Sequence, residues 1–131
     1  MSDSVVLIVE DEPMILLDLE TGLNEAGFEV VAVRNAALAL AAFDADPRKF
    51  KALVTDIRLE PGKSGWEIAK HMRQVESTMP VIYISGDSAI HWGAEGVPES
   101  VMITKPFFLP QIITALSTLL NQQPTVPDIN A

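Results

Sequence analysis

Five residues of the types phosphoryl chemistry needs stand at the ends of short apolar runs. Glu10 and Asp11 follow Val5 to Val9, and Asp56 follows A-L-V-T at 52 to 55. Ser85 follows V-I-Y-I at 81 to 84, and Lys105 follows V-M-I-T at 101 to 104. Parallel strands end together at one edge of a sheet. If these runs are parallel neighbours, the charged residues converge on one small pocket, fit for a divalent cation and a phosphoryl group. A carboxylate such as Asp56 can attack phosphorus to give an aspartyl phosphate. That transfer needs mainly positioning and charge neutralisation. Mg2+ (or Mn2+) suits the task, because it takes oxygen ligands and bridges carboxylates to phosphoryl oxygens. Asp11 would bind it directly, Glu10 directly or through water, and Asp56 would complete the set. Lys105 would supply a fixed positive charge for a phosphoryl oxygen, and Ser85 a hydroxyl. Singly, each residue has an ordinary reading: Asp as a turn former or helix cap, Lys as a solvated charge, Ser85 beside Gly86 as a turn. Their joint occurrence at four strand ends is what points to chemistry.

The elements that would position them follow from periodicity. Val5 to Val9 is unbroken and apolar, as in a strand buried on both faces. Pro13 suits the first turn of a helix, and Leu16, Leu19, Leu23 and Ala26 recur at helical spacing up to a stop at Gly27. Glu29 to Val33 reads as a second strand. Ala36 to Phe43 reads as a helix ended by the turn D-A-D-P at Asp44 to Pro47. Ala52 to Thr55 is a third strand. After a loop with Pro61, Gly62 and Gly65, Ile68, Met72 and Val75 mark a helix starting near Trp66. Val81 to Ile84 is a fourth strand. Ser88 to Ser100, broken by two glycines and Pro98, leaves room for about two turns of helix. Val101 to Thr104 is the fifth strand, and Ile112, Ile113, Leu116, Leu119 and Leu120 line a last helix. Strands alternating with helices imply a parallel sheet covered on both faces, with ligands beyond the carboxyl ends of its strands. Strand order does not follow from the pattern.

Length and composition bound the rest. A chain of 131 residues, 48% hydrophobic and 21% charged, suits one globular domain. A net charge of -9 disfavours a nucleic-acid surface. No cysteine is present, so disulfides and thiolate sites are excluded. No apolar run reaches the length of a membrane span, and no basic, apolar leader opens the chain. A cytoplasmic location without membrane contact is expected.

The motifs together resemble the receiver domain of bacterial two-component response regulators. The resemblance rests on Glu10-Asp11 after the first strand, Asp56 after the third, Ser85 after the fourth and Lys105-Pro106 after the fifth. It covers about residues 4 to 121, and the remainder, 122 to 131, is expected to be a disordered tail. It implies a doubly wound five-stranded parallel sheet of order 2-1-3-4-5. It implies that Asp56 takes a phosphoryl group, with Mg2+ bound, from a phosphohistidine on a sensor histidine kinase or histidine phosphotransfer protein. It further implies that the backbone carbonyl of Arg58 is a metal ligand, and that Ser85 and Lys105 shift toward the new phosphoryl group. The domain would catalyse its own phosphorylation, and often its own hydrolysis, without turning over an external substrate.

Three features depart from the family's pattern. Pro61 lies five residues after Asp56 and Gly65 nine, one more than usual, so the intervening loop is expected to bulge near Arg58 and Glu60. The family's switch aromatic, three residues before the lysine, is replaced by Met102, whose apolar thioether is expected to be a core residue. Tyr83, inside the fourth strand, is not at the equivalent position and is given no switch role. The stretch from Ser85 to Lys105 is two residues shorter than in many relatives and contains His91 and Trp92. That pair reads as surface and partial core, or, more sharply, as a partner patch centred on Trp92. His71 reads as a surface residue with no second histidine at metal-ligand spacing.

Competing functions are a receiver-like binding module that is never phosphorylated, and a small phosphohydrolase using Asp56 as nucleophile. The second wants an acid two residues after the nucleophile, where Arg58 stands. The main expectation is a stand-alone receiver with an unspecified protein output target, since no DNA-binding segment follows Leu120.

Overall fold

The computed structural model describes residues 5–87 and 91–122. Five strands, β1 (Val5–Val9), β2 (Glu29–Val33), β3 (Phe50–Asp56), β4 (Val81–Ser85) and β5 (Val101–Thr104), form one parallel sheet in the order β2-β1-β3-β4-β5. The helices are α1 (Pro13–Glu25), α2 (Ala36–Ala45), α3 (Gly65–Val75), α4 (Trp92–Glu95) and α5 (Leu109–Asn121), with a short 3-10 turn at Pro47–Lys49.

The unbroken apolar strands are explained by two cores, one on each face. Val5, Leu7 and Val9 point to one face with Phe43, Ile68 and Met72 of α2 and α3. Val6 and Ile8 point to the other, with Leu19, Leu23, Ile112 and Leu116 of α1 and α5. Alternation along a strand thus fills both layers with apolar side chains. The segment carrying α4 joins the first face through Val97.

Several boundaries move from their expected places. β3 begins at Phe50, two residues early, because the register slips between Val5 and Val6. Val5 pairs with Phe50 and Val6 with Ala52, so exposed Lys51 is the extra residue of a bulge and interrupts the apolar run. β4 extends one residue to Ser85, which pairs with Thr104. α2 continues through Asp44 and Ala45, and its start is fixed by Asn35, whose side chain accepts from Leu38 N at 2.8 Å. α3 starts at Gly65 behind a capping box: Glu67 N donates to Ser64 Oγ, and Ser64 N to Glu67 Oε1 at 2.9 Å. α4 makes about one turn rather than two among the described residues, and residues 88–90 of that stretch lie outside them. Ser4 and the expected tail from 123 onward also lie outside the described residues. No helix among the described residues is long and apolar enough to cross a membrane.

Candidate phosphoacceptor site

The carboxyl edge of the sheet gathers the acids and the base. Asp56 is the last residue of β3, paired in register with Ile84 of β4. Glu10 follows β1 directly and is tied to the sheet by its N–H, which donates to Val33 O at 3.1 Å. Lys105 follows β5, its N–H donating to Ser85 O at 2.8 Å. Backbone bonds between neighbouring strands therefore set the three charges side by side.

Lys105 is the hub. Its Nζ donates to Asp56 Oδ2 at 3.1 Å and lies 3.1 Å from Glu10 Oε1 and 3.6 Å from Glu12 Oε1. Glu10 is fully buried and Asp56 nearly so. The other Glu10 oxygen accepts from Glu12 N at 3.0 Å. Among the described residues, Glu10 Oε1 is the buried side-chain oxygen left without an aligned hydrogen bond, although the lysine charge is close. Burial pushes the Glu10 carboxyl up to about 7, and the Asp56 charge adds to that rise against the Glu12 hydrogen bond and Lys105. For Lys105, burial alone would lower the pKa. Pairing with Glu10 and the charges of Asp56 and Glu10 outweigh it, and the net movement is upward.

One carboxylate oxygen each from Glu10, Asp11 and Asp56 lie within 4.8 Å of one another. An all-oxygen donor set of this size, with a buried oxygen short of a partner, fits a hard divalent cation. When bound, such a cation neutralises charge on a transferring phosphoryl group. Asp11, Asp56, Arg58 and Lys105 line one cleft with Glu12, Pro13, Glu60, Gly86 and Asp87, of about 590 Å³. A larger groove of about 760 Å³ runs beside it between α1 and the start of α5, sharing Glu12 and Lys105. Its lining is mainly apolar, and Asp11 and Asp56 line the smaller cleft and not this groove.

The remaining expected site residues fall around this edge. Ser85 is buried at the end of β4, and its Oγ accepts from Asp87 N at 3.1 Å. Gly86 and Asp87, not Ser85, line the open cleft. The Arg58 side chain is turned outward and pairs with Asp87 at 3.1 Å, linking the loops after β3 and β4. The loop after β3 is anchored by buried Ile57 and Leu59, exposed from Glu60 to Lys63 with Gly62 at φ 106°, and returns at Gly65. His71, half-exposed, contacts Asp44 Oδ1 at 2.7 Å and the edge of Phe43.

Three contributors escape a reading of residue types. Gly65 sits so close to the end of β3 that an added Cβ would lie 2.2 Å from Asp56 O. Thr55 donates its hydroxyl to the same carbonyl at 2.7 Å. Glu12 adds a third acid near Lys105. The sequence signals are a glycine opening a helix, a threonine at a strand end and an acid after Glu10-Asp11, and all are common for other reasons.

A profile of the response regulator receiver domain matches residues 6–117. The chain belongs to that family. The receiver is similar to the transcriptional activator protein IrlR of Burkholderia pseudomallei, 28% identical over 119 residues, covering 89% of this chain and 50% of that protein. It is 31% identical over 121 residues to the transcriptional regulatory protein TcrA of Mycobacterium tuberculosis, covering 91% of this chain and 47% of that protein. It thus spans about half the length of the curated relatives it matches. Among solved structures, it is similar to a response regulator receiver protein from Sinorhizobium medicae, with 40% identity and a TM-score of 0.89. That alignment covers 92% of this chain and 97% of the other. The receiver sheet order 2-1-3-4-5, expected from the resemblance, is the order observed.

Proposed function

We propose that this receiver accepts a phosphoryl group on Asp56 from a phosphohistidine of a sensor histidine kinase or histidine phosphotransfer protein, with Mg2+ or Mn2+ bound. The observation that carries the reading is Lys105 Nζ, 3.1 Å from both Glu10 and Asp56, beside three carboxylates within 4.8 Å of one another. In the transfer, the Asp56 carboxylate attacks phosphorus, the phosphorus–nitrogen bond to the donor histidine breaks, and the imidazole leaves with that electron pair. Glu10, Asp11, Asp56 and the Arg58 carbonyl would hold the cation. Lys105, already paired with Asp56, is positioned to neutralise a phosphoryl oxygen as charge builds, and Ser85 would offer its hydroxyl to another. Hydrolysis is the attack of water on the same phosphorus, returning the free carboxylate.

The protein acts on itself rather than turning over an external substrate. Arg58, where a phosphohydrolase would carry its general acid, pairs with Asp87 instead. Output is by contact with another protein, in the cytoplasm. The absence of a nucleic-acid surface is proposed for the acidic receiver itself, because the curated relatives are named transcriptional regulators and extend to about twice the matched length.

Intact-mass spectrometry after incubation with acetyl phosphate tests the reading. One Mg2+-dependent phosphoryl adduct is expected, absent in Asp56→Ala. A chain that stays unmodified with both acetyl phosphate and a phosphorylated histidine donor would be a binding module only.

A further inference from the structure

Among the described residues, the stretch between β4 and β5 contains a single helical turn, yet it is fastened to the sheet by a run of side-chain hydrogen bonds. Tyr83, the only tyrosine in the chain, is fully buried in β4, two residues before Ser85 and on the same face. Its hydroxyl accepts from Val97 N at 3.1 Å. Val97 O accepts from Ser100 Oγ at 2.6 Å, and Ser100 Oγ accepts from Trp92 Nε1 at 2.9 Å. The run therefore starts beside the register partner of Asp56 and ends at a tryptophan ring open to solvent. Gly96 lies under that ring, and a Cβ there would fall 2.4 Å from Trp92 Cδ1. The indole is thus seated on the segment.

Two other contacts make Tyr83 a junction. Its ring meets Trp66 edge-on, with centroids 4.6 Å apart. Trp66 follows Gly65, the residue pressed against Asp56 O. Across the sheet, Tyr83 pairs in register with Met102, half-buried in the same core. A thioether offers little hydrogen bonding, so the hydroxyl of Tyr83 is the polar handle at this point of the two strands. A phenylalanine would fill the same volume, and what the hydroxyl adds is its grip on Val97.

We propose that Tyr83, through Val97 and Ser100, couples the state of Asp56 to the position of Trp92, and that Trp92 is the surface group that reports phosphorylation. The inference rests on the phosphoacceptor reading above. Displacement at the carboxyl end of β4 moves Tyr83, Val97 follows its acceptor, and Ser100 carries the shift to the indole. Among the described residues, 91–100 carry one helical turn and no strand, so the segment can follow at small cost. A purely architectural tyrosine would hold the segment equally in both states. A coupling tyrosine makes Trp92 sensitive to the state of Asp56.

The test is fluorine NMR on the full chain labelled with 5-fluorotryptophan, its two resonances assigned with Trp66→Phe and Trp92→Phe. Spectra are taken before and after acetyl phosphate with Mg2+, and adduct mass is read separately on each sample. Phosphorylation should shift the Trp92 resonance by more than its linewidth. In Tyr83→Phe the adduct should still form while that shift is lost. Ser100→Ala, which leaves the buried ring in place, should lose it too, and Met102→Leu should keep it. A phosphorylated wild-type chain with an unmoved Trp92 resonance overturns the coupling. So does a phosphorylated Tyr83→Phe or Ser100→Ala chain that shifts as fully as wild type. A wild-type chain with no adduct from either acetyl phosphate or a phosphorylated histidine donor overturns the phosphoacceptor reading itself, and the mass alone shows that.

Discussion

Two regions flank the end of β4 and are held by opposite means. Toward β3 and β1, Glu10 and Asp56 form a largely buried knot of charge with Lys105, which reaches across from the end of β5. Toward β5, the 91–100 segment is held by neutral bonds among Tyr83, Val97, Ser100 and Trp92. Charged groups respond strongly to a change of charge, because a low-dielectric site magnifies each interaction. Neutral hydrogen bonds respond weakly to charge but fix geometry. The first region is suited to sense a phosphoryl group or cation, the second to pass on a displacement. Ser85 stands where the two meet.

The largest expected break in this contrast is Gly65→Ala. The new methyl would meet Asp56 O at 2.2 Å, and backbone must shift to admit it. Overpacking of this kind should cost about 3 kcal/mol of stability, read by chemical denaturation, and should slow adduct formation by misplacing Asp56.

The next effect is pH dependence of the charged knot. The Glu10 carboxyl rises from 4.5 to about 7 in the folded chain, chiefly through burial. The folded state therefore holds this proton more tightly than the unfolded state. Its contribution is complete below pH 4.5 and is lost as pH rises through about 7. The loss should be on the order of 3 kcal/mol. Denaturation in EDTA should show wild type losing stability across that window relative to Glu10→Gln, which carries no titrating group there. Mg2+ should flatten the wild-type slope. A wild-type curve parallel to that of Glu10→Gln would mean that Lys105 already neutralises the acid.

The smallest effect sharpens the boundary between buried and exposed charge. Arg58 and Asp87 pair at 3.1 Å, but their side chains are 73% and 56% exposed. Arg58→Ala should change unfolding free energy by less than about 0.5 kcal/mol, measured by denaturation at low and high salt.

Much of this arrangement was legible in residue order. Val5 to Val9 and Glu29 to Val33 emerge as strands with the bounds expected, because apolar runs between turn residues leave few alternatives. Glu10, Asp11, Asp56 and Lys105 were legible as a set because three strand ends carried complementary chemistry. The start of β3 was not, since the bulge at Lys51 depends on a partner strand far away in sequence. Nor were Gly65 and Thr55, whose importance lies in nearness to one carbonyl. Nor was Tyr83, which is not at the family's switch position and whose hydroxyl gains a purpose only from the bond to Val97.

By itself the sequence determined the alternation of strands and helices, the edge at which the charges would lie, and the family to which they point. These follow from local periodicity and from which residue ends each apolar run. Tertiary structure decided that Lys105 lies 3.1 Å from both Glu10 and Asp56, that burial raises Glu10, and that Tyr83 reaches Val97. Each of these depends on distance and solvent exclusion between residues far apart in the chain. No local pattern encodes such quantities, because they exist only once the two faces of the sheet are covered.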